Sequence, residues 1–289
     1  MGNNTHRLAQ FISINDPPPG QGDIQARRPY VQWGGISFAQ YGGKASYNAL
    51  QTSLISRSWH GLSLLGNYTF SKCLDDGSAE SGTTLLLIPF NRAPCNLDRT
   101  HAGAFSYDYE MPFGHSRQFL SGISGWADQI IGGWHVSGIA TLQSGLPFTP
   151  TVGDRANTGV SGQRPDVTGA PIMPQTVDCW FFTSANSACK ALLPSASNWF
   201  AVPPQYLRYG TGGRNILRAD GLKTWDFSLF KNFRISETKY VQFRSEFFNF
   251  TNHPTFSAPS TRVDRGSGGS ISSTLDPARQ IQLALKLYF

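Results

Sequence analysis

The sequence predicts an all-β, antiparallel transmembrane β-barrel portion of about seven to eight long strands. Three observations predict it. Charged residues make up only 15% of the chain and aromatics 13%, and the 289 residues include 30 Gly and 18 Pro. A typical soluble domain is roughly 25% charged, so this composition favours strands and turns over helices. Apolar residues recur at every second position through segments of about 11 to 13 residues. Ordinary strands average about 5–6 residues, whereas a strand tilted across a bilayer needs about 9–11. The connections also alternate between short and long, as they do at the two ends of a membrane barrel.

In chain order, residues 1–45 read mostly as a long extracellular loop, with turn signals at Pro17–Gly20 and Gly42–Gly43, and with Gly35–Gln40 as a short additional strand that would make eight. The strands are expected at 46–58, 62–73, 100–110, 132–144, 223–234, 239–251 and 279–289. The last is the clearest. Ile281, Leu283, Leu285, Leu287 and the terminal Phe289 share one face, and Gln280, Gln282, Ala284, Lys286 and Tyr288 the other. With this strand running toward the periplasm, His60–Gly61 and Ile235–Thr238 are short periplasmic turns. The intervals 74–99, 145–222 and 252–278 are then long extracellular loops. One periplasmic connection, 111–131, is long, and Trp126–Ile131 reads as a short interfacial helix within it.

The same parity sorts the side chains. Tyr68, Phe70, Tyr107, Tyr109, Trp134, Trp225 and Phe247 face lipid, those near strand ends forming aromatic girdles. Asp108, Glu110, Asp226, Arg244 and Glu246 face the lumen, where Arg244 and Glu246, two apart, can join a charge ladder. The plain role of these five is a salt-bridged wall; the functional one is contact with a plug or a passing substrate.

Other chemistries find little support. The net charge is +6, but the cations are scattered and Arg27–Arg28 is the only Arg pair, so no nucleic acid is expected as partner. The longest apolar stretch, Leu85–Phe90, is broken by Pro89 and falls far short of the ~18 residues of a spanning helix. Gly210–Gly213 lacks the Lys-Ser/Thr of a phosphate loop, and Asp75-Asp-Gly77 lacks the further oxygen ligands of a calcium loop. The six histidines are isolated and no nucleophile elbow is present, so no enzyme activity, catalytic residue, metal or cofactor is expected. Cys73, Cys95, Cys179 and Cys189 form no CxxC pair, and four cysteines allow three pairings. Two local disulfides in an oxidising compartment are the natural reading, with free buried thiols as the alternative.

Several phrases taken in order resemble the C-terminal barrel of TonB-dependent outer-membrane receptors. They are Gly2–Leu8, Arg27-Arg-Pro-Tyr30, Ser46-Tyr-Asn-Ala-Leu-Gln51, Tyr68-Thr-Phe-Ser-Lys72, Met111-Pro-Phe-Gly114, Gly132-Gly-Trp134, Gly213-Arg-Asn215 with Leu217-Arg218, Asp226-Phe-Ser-Leu-Phe-Lys231, Arg244-Ser-Glu-Phe-Phe-Asn249 with Asn252-His-Pro254, and Phe289. The likeness is to the Oar-like branch, whose members carry a carboxypeptidase-regulatory-like domain and are typical of Acidobacteria. Where that family tends to show Gly-Pro-Gly, Ala219-Asp-Gly221 stands here. The resemblance implies the last third of a roughly 22-stranded Gram-negative barrel for uptake of a bulky nutrient. It also implies an outer-membrane lipid environment, an unknown extracellular ligand and a C-terminal strand, ending at Phe289, that is read by the barrel-assembly machinery. TonB would act only through a plug that these residues do not contain, so transport by this segment alone is not expected. Two other readings fit parts of the pattern: a surface-exposed β-rich binding module such as an adhesin or lectin-like sandwich, and a small self-contained porin-like barrel.

Overall fold

A computed structural model of the chain describes residues 1–77, 83–84, 91–236 and 238–289. Eight long strands form one antiparallel sheet: β1 (Gly2–Ser13), β2 (Ser37–Trp59), β3 (Leu62–Asp75), β4 (His101–Glu110), β5 (Trp134–Gln143), β6 (Leu222–Arg234), β7 (Tyr240–Phe248) and β8 (Gln280–Tyr288). Spatial order follows chain order, so every strand pairs with its neighbours in sequence. The outer edges belong to β8 and to β1; the end of β1 carries a two-residue parallel bridge from Thr83–Thr84. The sheet is an open meander rather than a closed cylinder.

The N-terminal segment departs from the sequence expectation. Residues 2–13 are a strand rather than loop, and β2 begins at Ser37, so Gly35–Gln40 supplies the start of β2 and no separate strand. The reason is local. Arg7 sits at φ 62°, and the register between β1 and β2 shifts between His6 and Leu8 and again between Leu8 and Gln10. A bulge breaks the period of two, and the alternation that marks a strand in sequence disappears with it. Residues 14–36 remain a long connection.

The turns at one end are tight. His60 and Gly61 both take positive φ, 50° and 84°, the backbone of a two-residue hairpin whose twist matches its strands. The β6–β7 connection is also short, residues 235–239, with Ile235 and Ser236 both donating N–H bonds to the Lys239 carbonyl, at 2.9 and 3.0 Å. At the same end the longer β4–β5 connection contains the helix α1 (Trp126–Ile131), where the sequence placed one. The Leu85–Phe90 stretch and part of the 74–99 interval lie outside the described residues.

Register fixes two faces. On one lie Leu64, Tyr107, Gly138, Phe227, Phe247 and Ile281, paired in succession across β3 to β8. On the other lie Ser63, Asp108, Ser137, Ser228, Glu246 and Gln282, one residue along each strand. The first face is apolar yet open: Leu283 is 67% and Leu285 72% exposed. Such a row left in water would forfeit most of the burial that stabilises a fold. Its packing is aromatic over glycine. The Tyr107 ring lies over Gly138, where an added Cβ would come within 2.6 Å of its hydroxyl, and that hydroxyl accepts the Trp225 Nε1–H at 3.1 Å.

The densest core lies outside the sheet, at its long-loop end. Residues 145–221 and 252–278 fold together around Phe148, Trp180, Phe181, Trp199, Val263 and Ile271, all buried. Two short ladders, Phe200–Ala201 with Asp166–Val167 and Leu217–Arg218 with Pro147–Phe148, and a helix α2 (Ser187–Leu192) capped by the Asn186 side chain, organise this cap. Two disulfides join Cys73 to Cys95 and Cys179 to Cys189. Cross-links of this span stabilise by about 3 kcal/mol each. The first clips β3 to the 91–98 segment; the second closes the turn that carries Trp180 and Phe181.

Candidate functional site

The polar face gathers the charged side chains. Asp108 lies opposite Ser63 on one side and Ser137 on the other, and Glu246 lies opposite Ser228 and Gln282. One step toward the short-turn end, Glu110, His135, Phe230, Arg244 and Ala284 form the adjacent row. That row is a continuous contact chain. Arg117 donates to Glu110, and the His135 Nε2 stands 4.0 Å from the same carboxylate. The imidazole stacks on Phe230 with centroids 4.8 Å apart, and the Arg244 guanidinium lies over the same Phe230 ring, 5.9 Å from its centroid. Arg244 Nε then meets Glu246 Oε1 at 2.9 Å. The structure therefore brings Arg244 and Glu246 together and links them to Glu110 through a histidine and a phenylalanine that the sequence reading passed over. Period-two parity already placed both on this face; what hid them was that His135 and Phe230 are not a charge pair.

Asp108 and Asp226 stand apart from that chain. Asp226 accepts the backbone N–H of Asn249 at 2.9 Å, where β7 ends. Together Asp108, Asp226, Glu246, Arg244 and the Ser137 and Ser228 positions line an open hollow of about 450 Å³. Its lining is mixed: carboxylate and hydroxyl acceptors and one guanidinium stand among the apolar side chains of Leu65, Ile139 and Phe248. Among the described residues no group of three or more His, Cys, Asp or Glu is placed to hold a metal. Gly210–Gly213 is irregular backbone packed on residues 164–165, with Gly212 N–H bonded to the Pro165 carbonyl at 2.9 Å, and Asp75 accepts the Gly77 N–H at 2.8 Å at the end of β3.

Two faces of opposite polarity on strands long enough to cross a bilayer demand two different solvents. The comparison with known families decides which. The family described as an outer membrane beta barrel domain matches residues 1–282. The chain belongs to that family. No curated protein and no solved structure matches it.

The outer-membrane barrel domain is thus an integral protein of the outer membrane. Its apolar face meets lipid, and the opposite, polar face carries Asp108, Glu110, Asp226, Arg244 and Glu246. The cap stands at the end of the sheet opposite the tight His60–Gly61 turn. Ile281, Leu283, Leu285, Leu287 and Phe289 all lie on the lipid side, Phe289 just past β8 and 93% exposed.

The cap is stitched to the barrel rim by arginines. Arg214, 1% exposed, donates to the Asp75 carboxylate at the top of β3 and to Asn96 Oδ1 at 2.8 Å. Arg164 reaches Asn91 at 2.5 Å, and Arg218 reaches the Asp98 carboxylate at 2.5 Å. Residues 14–36 join the same body: Asn157 Nδ2 donates to the Gly20 and Gly22 carbonyls at 3.0 and 2.9 Å, and Arg27 returns a bond to the Asn157 carbonyl. Connections of different hairpins thus pack together into one hydrogen-bonded cap at the end of the wall.

Within the cap, the Arg208 fork beside Asp166 holds that carboxyl at about 2, below the usual 3.8. Both guanidinium nitrogens donate at 2.8 Å, and the Thr211 N–H and hydroxyl add bonds at 2.9 and 3.0 Å, while partial burial works the other way. A carboxyl depressed in the folded state contributes stability that is whole above 3.8 and is lost as pH falls through about 2. Asp166→Asn is therefore expected to loosen the cap at neutral pH, with the difference from wild type closing as the pH approaches 2. Hydrogen exchange of cap amides across that range reads it; a pH-independent difference would assign the loss to geometry alone.

Proposed function

We propose that this chain forms the C-terminal wall of a TonB-dependent receptor barrel, similar to the Oar-like branch, which takes up a bulky nutrient across the outer membrane. The observation that carries the reading is the open meander. In lipid every backbone N–H and C=O needs a partner, so a membrane sheet has to close. Among the described residues β8 pairs only with β7, and β1 offers its other edge beyond the short Thr83–Thr84 bridge. Further strands between β1 and β8 would satisfy both edges, and a wide barrel of that kind leaves a lumen large enough for a plug.

On this reading the wall performs no covalent chemistry and needs no cofactor. Asp108, Asp226, Arg244 and Glu246 face the plug or the passing nutrient, and the cap selects the extracellular ligand. TonB acts through the plug, and the barrel-assembly machinery reads β8 and Phe289. The disulfides and the buried arginines support the reading, because they make the cap a preorganised surface rather than a set of mobile loops.

The test is the mass of the native product. An antibody against Gln280–Phe289, applied to outer-membrane fractions of the source cell, is expected to detect a band far above 31.7 kDa. A band near 31.7 kDa in that fraction would identify a self-contained small barrel and remove the TonB-dependent mechanism.

A further inference from the structure

The β4–β5 connection at the periplasmic end carries a helix whose polarity is reversed for water. In α1, Trp126 and Ile130 are one turn apart and share a side; they are 78% and 56% exposed. Asp128 lies on the other side and points into the protein, where its Oδ1 accepts the His115 N–H at 2.5 Å. A surface helix in water buries its apolar stripe and exposes its charge. This one does the opposite, and residues just upstream repeat the pattern: Phe119 is 49% and Leu120 52% exposed.

The helix is also held on a particular side of the wall. Trp134, on the lipid-facing side of β5, donates its Nε1–H to the Ile130 carbonyl at 2.9 Å. Lys231, the cross-strand partner of Trp134 on the same side of β6, is 2% exposed and donates its ammonium to the Gly132 carbonyl. Both bonds reach the end of α1 from the lipid side, while Asp128 and Gln129 line a hollow with Glu110 and His135 of the polar face, so α1 lies across the end of the wall with Trp126 and Ile130 left outward. Strands that complete the barrel cannot cover it, because β4 and β5 sit in the middle of the sheet, three strands from either edge. A plug or nutrient in the lumen would lie on the opposite face.

We propose that α1 is a lipid-seated anchor. The side bearing Trp126 and Ile130 lies in the headgroup–acyl boundary of the periplasmic leaflet, the depth at which tryptophan and short amphipathic helices partition. Trp126 and Ile130 fix how deep the wall sits at this point of its circumference, and Lys231 and Trp134 hold the helix flat against it. The inference rests on outer-membrane residence and is independent of the TonB-dependent reading.

The experiment places the chain in vesicles of phosphatidylethanolamine and phosphatidylglycerol and subtracts the emission of Trp126→Phe from that of wild type, isolating one of seven tryptophans. The expected difference spectrum is blue-shifted, is quenched by lipids brominated near the glycerol end more than by those brominated near the chain end, and resists aqueous iodide. A red-shifted spectrum quenched by iodide would overturn the proposal. A nitroxide on Ile130→Cys, read in outer-membrane preparations from expressing cells, gives an independent measurement. Greater accessibility to oxygen than to a water-soluble nickel chelate is expected. The reverse order, or spin–spin broadening from a second copy of the chain, would overturn it.

Discussion

Leu54→Arg is expected to cost about 2–4 kcal/mol of folding free energy in a bilayer, while Ser53→Arg, one residue away, is expected to change stability by less than about 1 kcal/mol. Leu54 lies opposite Gly66, which in turn lies opposite Phe105 in the middle of β4, and it is 61% exposed on the lipid side. It buries little against protein, so the substitution creates no cavity and no clash. What it does is place a guanidinium in hydrocarbon. Ser53 lies opposite Asn67 on the polar face, in a row that continues through Ala104 and Thr141, where an arginine is expected to meet water. Refolding titrations in lipid vesicles measure both. Equal losses would mean that the two faces see the same solvent, and the assignment of lipid and lumen would fail.

Arg214→Met is expected to loosen the cap by about 3–5 kcal/mol, the cost of leaving a buried charge without its partner. The Asp75 side chain is 8% exposed and that of Arg214 1%, so solvent screens neither once the pair is broken. The guanidinium also bonds the carbonyls of Asn91 and Asp75 at 3.3 and 3.2 Å, and these acceptors lose their donor too. The double variant Arg214→Met with Asp75→Leu is expected to recover part of the loss, since no lone charge remains. Hydrogen exchange separates cap from barrel: protection of Phe181 and Val263 should fall while that of β6 and β7 amides is retained. If strand protection falls equally, the cap and the wall are a single cooperative unit and the arginine is not a local stitch.

Much of the wall was legible because side chains on a strand repeat with a period of two, and one face of this sheet is apolar. Ile281 to Phe289 announced β8, and Asp108, Glu110, Asp226, Arg244 and Glu246 could be assigned to one side by counting. β1 was not legible because Arg7 takes a left-handed conformation, and the count loses phase there. The cap was not legible for a different reason. Trp180, Phe181 and Trp199 sit in a stretch rich in Pro, Ser and Gly, and a core built from irregular backbone has no period to read. The cysteines marked the region, but four thiols permit three pairings and only the fold chooses. The inward turn of Asp128 is likewise a tertiary fact; the six letters from Trp126 to Ile131 allow the helix to roll either way.

The pairing order also sets a timetable for assembly. Each strand of the wall meets a neighbour in sequence, so strands can be added one at a time, and because loop-closure entropy grows only slowly with length even the long connections add little at each step. The cap cannot be made that way. Arg214 reaches Asp75 across 139 residues, and the core around Phe181 is incomplete until Val263 and Ile271 arrive from the β7–β8 connection. Maturation of the outer surface therefore waits for the final hairpin, and a barrel halted one strand early would be inserted in lipid yet present no finished face to the outside.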